Sequence, residues 1–301
     1  MRLATYAGAD DGAGSHLGIV LGERIVNVEA AAKSLGLPDV HDDMLGFIRQ
    51  GAQALATART IAERLEGDAS KGLPTSSVRL LAPIPRPQRN VVCVGLNYAE
   101  HVAESKSVTG NELPKFPVFF SKPPSTVIGP DDAIPWHGNV STSIDWEVEL
   151  AVIIGREGRD VAEPSAMGYV FGYTVANDVT ARDLQQRHQQ WYKGKGLDGF
   201  CPLGPVVVTA DEIGDPHELE IRLRVNGVEK QRSNTRYLIF NIPRLIAEWS
   251  AGMTLYPGDI LLTGTPSGVG VGRTPPEFLK PGDVVEAEIP AIGVLRNTVG
   301  G

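Results

Sequence analysis

The stretch Asp145-Trp-Glu-Val-Glu-Leu-Ala-Val-Ile-Ile-Gly155 sets two glutamates one residue apart in an otherwise apolar run. Alternate residues of a strand share a face, so Glu147 and Glu149 stand together, their Cα atoms about 7 Å apart, ahead of Ala151 and Ile153. Trp146, Val148, Leu150 and Val152 fill the opposite face and suit a core. Carboxylates this close repel unless something positive lies between them, and burying them uncompensated is costly. Arg or Lys partners, water at a sheet edge or a hard divalent cation could each relieve the repulsion. For such a pair taken alone, solvation is the default.

A third carboxylate changes that balance. Phe171-Gly-Tyr-Thr-Val-Ala-Asn reads as a strand, and Asp178 follows it, just before a helix predicted over Thr180–Gln190. Asp in that position commonly caps a helix. Joined to Glu147 and Glu149 it completes a set of hard oxygen ligands suited to Mg²⁺, with Mn²⁺ or Ca²⁺ as alternatives, leaving coordination positions for a chelating substrate. Arg182 and Gln185 follow at spacings that share a helix face with Asp178. Lys193-Gly-Lys-Gly196 adds ammonium groups on a glycine loop. Lys193 reads as solvated, whereas Lys195 near an ion would help stabilise a developing enolate. His101 and Glu104, at i and i+3 of a short helix over Ala99–Glu104, form either a surface pair or a general base with its orienting carboxylate. The polar segment from Ser105 to Pro117 suits a lid.

These groups need a scaffold. Residues 1–75 read as a small α+β unit with strands at Arg2–Tyr6, Leu17–Leu21 and Arg24–Val28 and one amphipathic helix from Met44 to Leu65. Prolines 74, 83, 85 and 87 mark an extended linker, placed at 76–87. From residue 88 to 301 strands follow in series with few helices, among them Pro243–Ser250. That order excludes a doubly wound parallel sheet and predicts an α+β, β-rich roll or sandwich with peripheral helices. Asn226–Gly227 between alternating residues predicts a hairpin turn.

Bulk properties narrow the classes. A net charge of −8 argues against broad binding to nucleic acid or an acidic membrane. There is no run of eighteen apolar residues and no basic flank followed by an apolar stretch at the start, so the expectation is a cytoplasmic enzyme with no membrane partner. Cys93 and Cys201 match no zinc spacing and read as reduced core residues. The glycine-rich turn Thr263–Gly270 lacks the lysine of a phosphate loop, yet Thr263, Thr265 and its amides could receive a carboxylate.

Six segments, VGLNYAEHVAE (94–104), FFSKP (119–123), DWEVELAVIIG (145–155), GYTVANDVTARDLQ (172–185), GKGLDGFCPLGP (194–205) and LLTGTPSGVGVG (261–272), resemble in order those of the fumarylacetoacetate hydrolase family, in its longer members. The resemblance implies a mixed β-roll core and a homodimer. It implies that Glu147, Glu149 and Asp178 hold the metal and that His101 and Glu104 are the general-base dyad. It also implies that Arg182, Gln185, Lys195, Thr265 and Lys122 contact a small 2-oxo or β-diketo acid. Hydrolysis of a C–C bond in an acylpyruvate of the fumarylpyruvate or fumarylacetoacetate class is the first expectation. Oxaloacetate decarboxylation or keto–enol tautomerisation is the alternative, and metabolite binding without turnover a third.

Overall fold

A computed structural model describes residues 1–8, 14–68, 70–104 and 113–301. The chain is a strand-rich α+β protein, as expected. One long sheet runs in the order Leu73–Pro74, Arg24–Asn27, His16–Leu21, Arg2–Ala7, Cys201–Thr209, Val170–Asn177, Val148–Ile154, Ile260–Leu262, Val91–Gly95 and Val118–Lys122. Val127–Ile128 then pairs parallel with Cys201–Pro202 and curls the sheet back on itself. A second sheet contains the hairpin Glu220–Val225/Val228–Asn234, whose turn sits at Asn226 and Gly227 with φ of 52° and 76°. It also holds Val284–Ile289 and Gly293–Val299.

Every residue of Val148–Ile154 is buried, because both faces of the sheet are covered. Val148, Leu150 and Val152 join a core with Ile221, Leu223 and Ala287 of the second sheet. Ala151 and Ile153 face a core with Phe47, Ile48, Ala58 and Ile61 of the N-terminal helices. The period-two reading of this strand therefore holds on both sides. The N-terminal segment is continuous with the large sheet: Arg2 and Leu3 pair with Val208 and Val207, and Arg79–Leu80 returns to pair with Tyr6–Ala7.

Two expected helices are cut short. The one over Met44–Leu65 breaks at Gly51, whose φ of 68° no helix accommodates, into Met44–Gln50 and Ala52–Leu65. The break shifts the buried face to Ala54, Ala58, Ile61 and Leu65. The helix predicted over Thr180–Gln190 spans only Arg182–Arg187, because Thr180–Ala181 pairs with Ile144–Asp145. Tertiary pairing outweighs local propensity there. Ala99–Glu104 is helical as expected. Of the expected lid, residues 105–112 lie outside the described residues. No helix among the described residues is long and apolar enough to cross a membrane.

Candidate active site

Antiparallel pairing of Val148 with Asn177 brings the start of one strand beside the end of its neighbour, and with them Glu147, Glu149 and Asp178. All three are buried, and one oxygen from each lies within 4.8 Å of the others. Asp178 caps no helix. Its Oδ1 accepts from Lys122 Nζ at 2.5 Å and its Oδ2 from Lys195 Nζ at 2.7 Å. Lys195 also donates to Glu147 Oε2 at 2.8 Å. Arg182 Nη2 lies 2.7 Å from Glu147 Oε1, an ion pair between two buried groups. Its Nη1 donates to Gln185 Oε1 at 3.1 Å.

The two glutamates differ electrostatically. Burial pushes the Glu147 carboxyl up, but Lys195 and Arg182 outweigh it and hold the group at about 2. Glu149 has a single strong donor, the Gly264 amide at 2.6 Å, and no ion-pair partner among the described residues. Burial, then the charges of Asp178 and Glu147, push it well above the usual carboxylate range. Three oxygen donors with a surplus of negative charge at Glu149 fit a hard divalent cation.

The glycine turn after Ile260–Leu262 spends its amides on these acids. Gly264 N donates to Glu149, and Gly268 N donates to both carboxylate oxygens of Glu104 at 3.0 and 3.1 Å. Thr263 and Thr265 donate their hydroxyls back to Leu150 O and Val148 O, so neither keeps a free donor. Glu104 Oε2 lies 3.3 Å from His101 Nδ1, and His101, with 7% exposure, is an inward group rather than half of a surface pair. His101 lines the cavity, and no hydrogen bond of its Nε2 is seen among the described residues.

That cavity is lined by His101, Glu147, Glu149, Arg182, Gln185, Lys195 and Thr265, with Phe120 and Trp191 among its apolar walls. The structure thus gathers most of the residues singled out in the sequence. Glu104, Asp178 and Lys122 stand behind that lining, Lys122 fully buried and tied to Asp178 and to Val179 O. Asp178 and Arg182 share no helix face, since a strand separates them. Lys193 is exposed and Lys195 buried, as their contrast predicted, although Lys195 ends a short helix rather than riding a loop.

Two positioning amides escaped the sequence reading. Asn177 Oδ1 accepts from Glu147 N at 3.0 Å. Gln231 accepts from Val148 N at 2.9 Å and donates to Thr265 Oγ1 at 2.8 Å. Asn177 adjoins Asp178 and could have been suspected. Gln231 arrives from the other sheet with no local signal.

A curled sheet whose strand ends converge three carboxylates and a His–Glu pair defines a class, and residues 90–300 match the model of the fumarylacetoacetate (FAA) hydrolase C-terminal domain. The chain belongs to the fumarylacetoacetate hydrolase family. It is 43% identical over 287 residues to oxaloacetate tautomerase YisK of Bacillus subtilis, covering 94% of this chain and 95% of that protein. It superposes on a fumarylacetoacetate hydrolase of Exiguobacterium antarcticum with a TM-score of 0.84 and 39% identity, over 100% and 99% of the two chains. It superposes on maleylpyruvate hydrolase of Sphingobium sp. SYK-6, in complex with manganese(II) and pyruvate, with a TM-score of 0.77 and 31% identity, again over 100% and 99%.

Proposed function

We propose that this chain is a divalent-metal-dependent tautomerase interconverting the keto and enol forms of oxaloacetate. The likeness to an oxaloacetate tautomerase along nearly the whole of both chains carries the choice of reaction, and it reverses the order expected from the sequence, which put acylpyruvate hydrolysis first. The reaction moves one proton between C3 and the 2-oxygen and breaks no C–C bond. A His–Glu pair at the cavity suits that proton transfer.

In this reading a divalent ion held by Glu147, Glu149 and Asp178 supplies Lewis-acid polarisation of the 2-oxo group. His101 Nε2 takes the C3 proton and returns it to the oxygen, while Glu104, 3.3 Å from Nδ1, fixes the orientation of the ring. Lys195 places its charge beside the oxygen that becomes negative. The Arg182 guanidinium, which lines the cavity, binds a substrate carboxylate.

The likeness to maleylpyruvate hydrolase supports a second reading, in which the same dyad activates water for C–C hydrolysis. The test follows enol absorbance of oxaloacetate, and pyruvate formed from oxaloacetate or maleylpyruvate, with Mg²⁺, Mn²⁺ or chelator. Tautomerisation is expected to accelerate without pyruvate, to stop on chelation and to fall about 10²–10⁴-fold in His101→Ala. Pyruvate from maleylpyruvate, with no faster enol decay, establishes hydrolysis instead. Pyruvate with CO₂ from oxaloacetate establishes decarboxylation.

A further inference from the structure

Asp145 lies outside the cavity lining and has no assigned part in the chemistry, yet its carboxylate has no exposed surface and draws donors from three separate segments. Its Oδ1 accepts from its neighbour Trp146 N at 2.8 Å and from Gly270 N at 2.7 Å. Its Oδ2 accepts from Val271 N at 3.0 Å and from Arg182 Nε at 2.8 Å. Arg182 and Val271 both line the cavity. The glycine turn can come this close only because Gly270 lacks a side chain: a Cβ there would stand 2.7 Å from Asp145 Oδ1 and 2.0 Å from Glu277 O.

The backbone repeats the connection. Asp145 pairs with Thr180 and Ile144 with Ala181, and Arg182 N donates to Ser143 O at 2.9 Å. Arg182 is therefore held at three points. Asp145 grips Nε, Gln185 takes Nη1, and Nη2 lies 2.7 Å from Glu147 Oε1 at the cavity. A guanidinium fixed at Nε has its remaining donors set in one plane, the form that recognises a planar carboxylate. Burying a carboxylate with four donors is otherwise an expensive way to hold one turn together.

The geometry assigns Asp145 as the positioning residue that aims Arg182 at the carboxylate of a 2-oxo acid and locks the cavity wall at Val271 to the same point. This rests on the 2-oxo acid reading above, but not on which reaction follows. Asp145→Asn keeps the shape and an acceptor for Gly270, while setting an amide donor against Arg182 Nε or Val271 N.

The test uses the Mn²⁺-loaded enzyme, with pyruvate binding by calorimetry and oxaloacetate kinetics read in parallel. Asp145→Asn is expected to raise the pyruvate Kd and the oxaloacetate KM about tenfold to a hundredfold, the worth of one charge-assisted hydrogen bond, with a smaller change in kcat and in Mn²⁺ affinity. Arg182→Gln is expected to do the same. The double variant should be no worse than the poorer single one, because both changes remove one unit. Effects of the two that multiply, an unchanged pyruvate Kd, or a loss confined to Mn²⁺ affinity overturns the assignment. Should the Asn variant fail to fold, Arg182→Lys keeps the charge without the Nε contact and is expected to show the same rise in Kd; an unchanged Kd there also overturns it. Wild-type protein that binds pyruvate but leaves oxaloacetate untouched removes the tautomerase reading alone, and the pyruvate cycle still decides the role of Asp145.

Discussion

Replacing Glu149 by Gln should stabilise the metal-free protein while abolishing the metal's effect on it. Glu149 is 1% exposed, lies within 4.8 Å of two other carboxylates through its ligand oxygen, and has no ion-pair partner among the described residues. At an effective dielectric of about 20, unit charges at that separation repel by about 3.5 kcal/mol, partly offset by Lys195. Holding the group protonated instead also costs stability near neutral pH, because the native state must keep a proton that the unfolded chain has released. The repulsion alone makes the carboxylate a burden of about 3 kcal/mol. Gln keeps an acceptor for Gly264 N but loses its charge, giving back about 1 kcal/mol. The net gain is about 2 kcal/mol.

The sign with pH follows. Because the folded pKa is raised, the native state keeps its proton after the unfolded chain has released it, so the contribution of Glu149 to stability falls as pH climbs above 4.5. Urea unfolding with chelator, from about pH 5 to pH 8, should show the variant ahead of wild type by a margin that widens with pH. Saturating Mn²⁺ should raise the wild-type midpoint and leave the variant unmoved. A chelated variant less stable than wild type refutes the charge reasoning. An equal Mn²⁺ shift in both refutes Glu149 as a ligand.

Gly268→Ala should uncouple the dyad: at φ 101° a Cβ would meet Lys230 O at 2.1 Å, so the turn must move and withdraw the Gly268 amide from Glu104. A loss of about 2 kcal/mol or more in stability is expected, with reduced turnover but retained Mn²⁺ binding; wild-type turnover would show that Glu104 needs no such anchor. Cys93 and Cys201 are fully buried, and burial pushes the Cys201 thiol up to about 12, so neither should react with a thiol reagent until the protein unfolds. Two thiols titrated in native protein would contradict that packing.

The single-residue spacing of Glu147 and Glu149 was informative by itself because a strand's geometry leaves one outcome: same face, side by side. The His101–Glu104 spacing worked similarly on a helix. Local sequence also carried the Asn226–Gly227 turn and the contrast between Lys193 and Lys195. It misjudged the Met44–Leu65 helix, since periodicity cannot show that Gly51 adopts a positive φ. It could not show that Lys122 is tied to Asp178 behind the cavity lining, since residue type says nothing about which side of that acid it occupies.

What the chain alone determined, then, was an inventory: three carboxylates at two strand ends, an imidazole with its acid, and cations close by in sequence. Only the tertiary structure decided which cation meets which acid. Those pairings span 17 to 56 residues, from Lys195 to Lys122 on Asp178, while a glycine turn brings its amides to Asp145 and Glu104 across 125 and 164 residues; strand order and the approach of that turn set them. Strand order is a property of long-range hydrogen bonding, which residue types constrain weakly. For that reason the acids were legible in the sequence, and the charge surplus at Glu149 and the fixing of Arg182 by Asp145 were not.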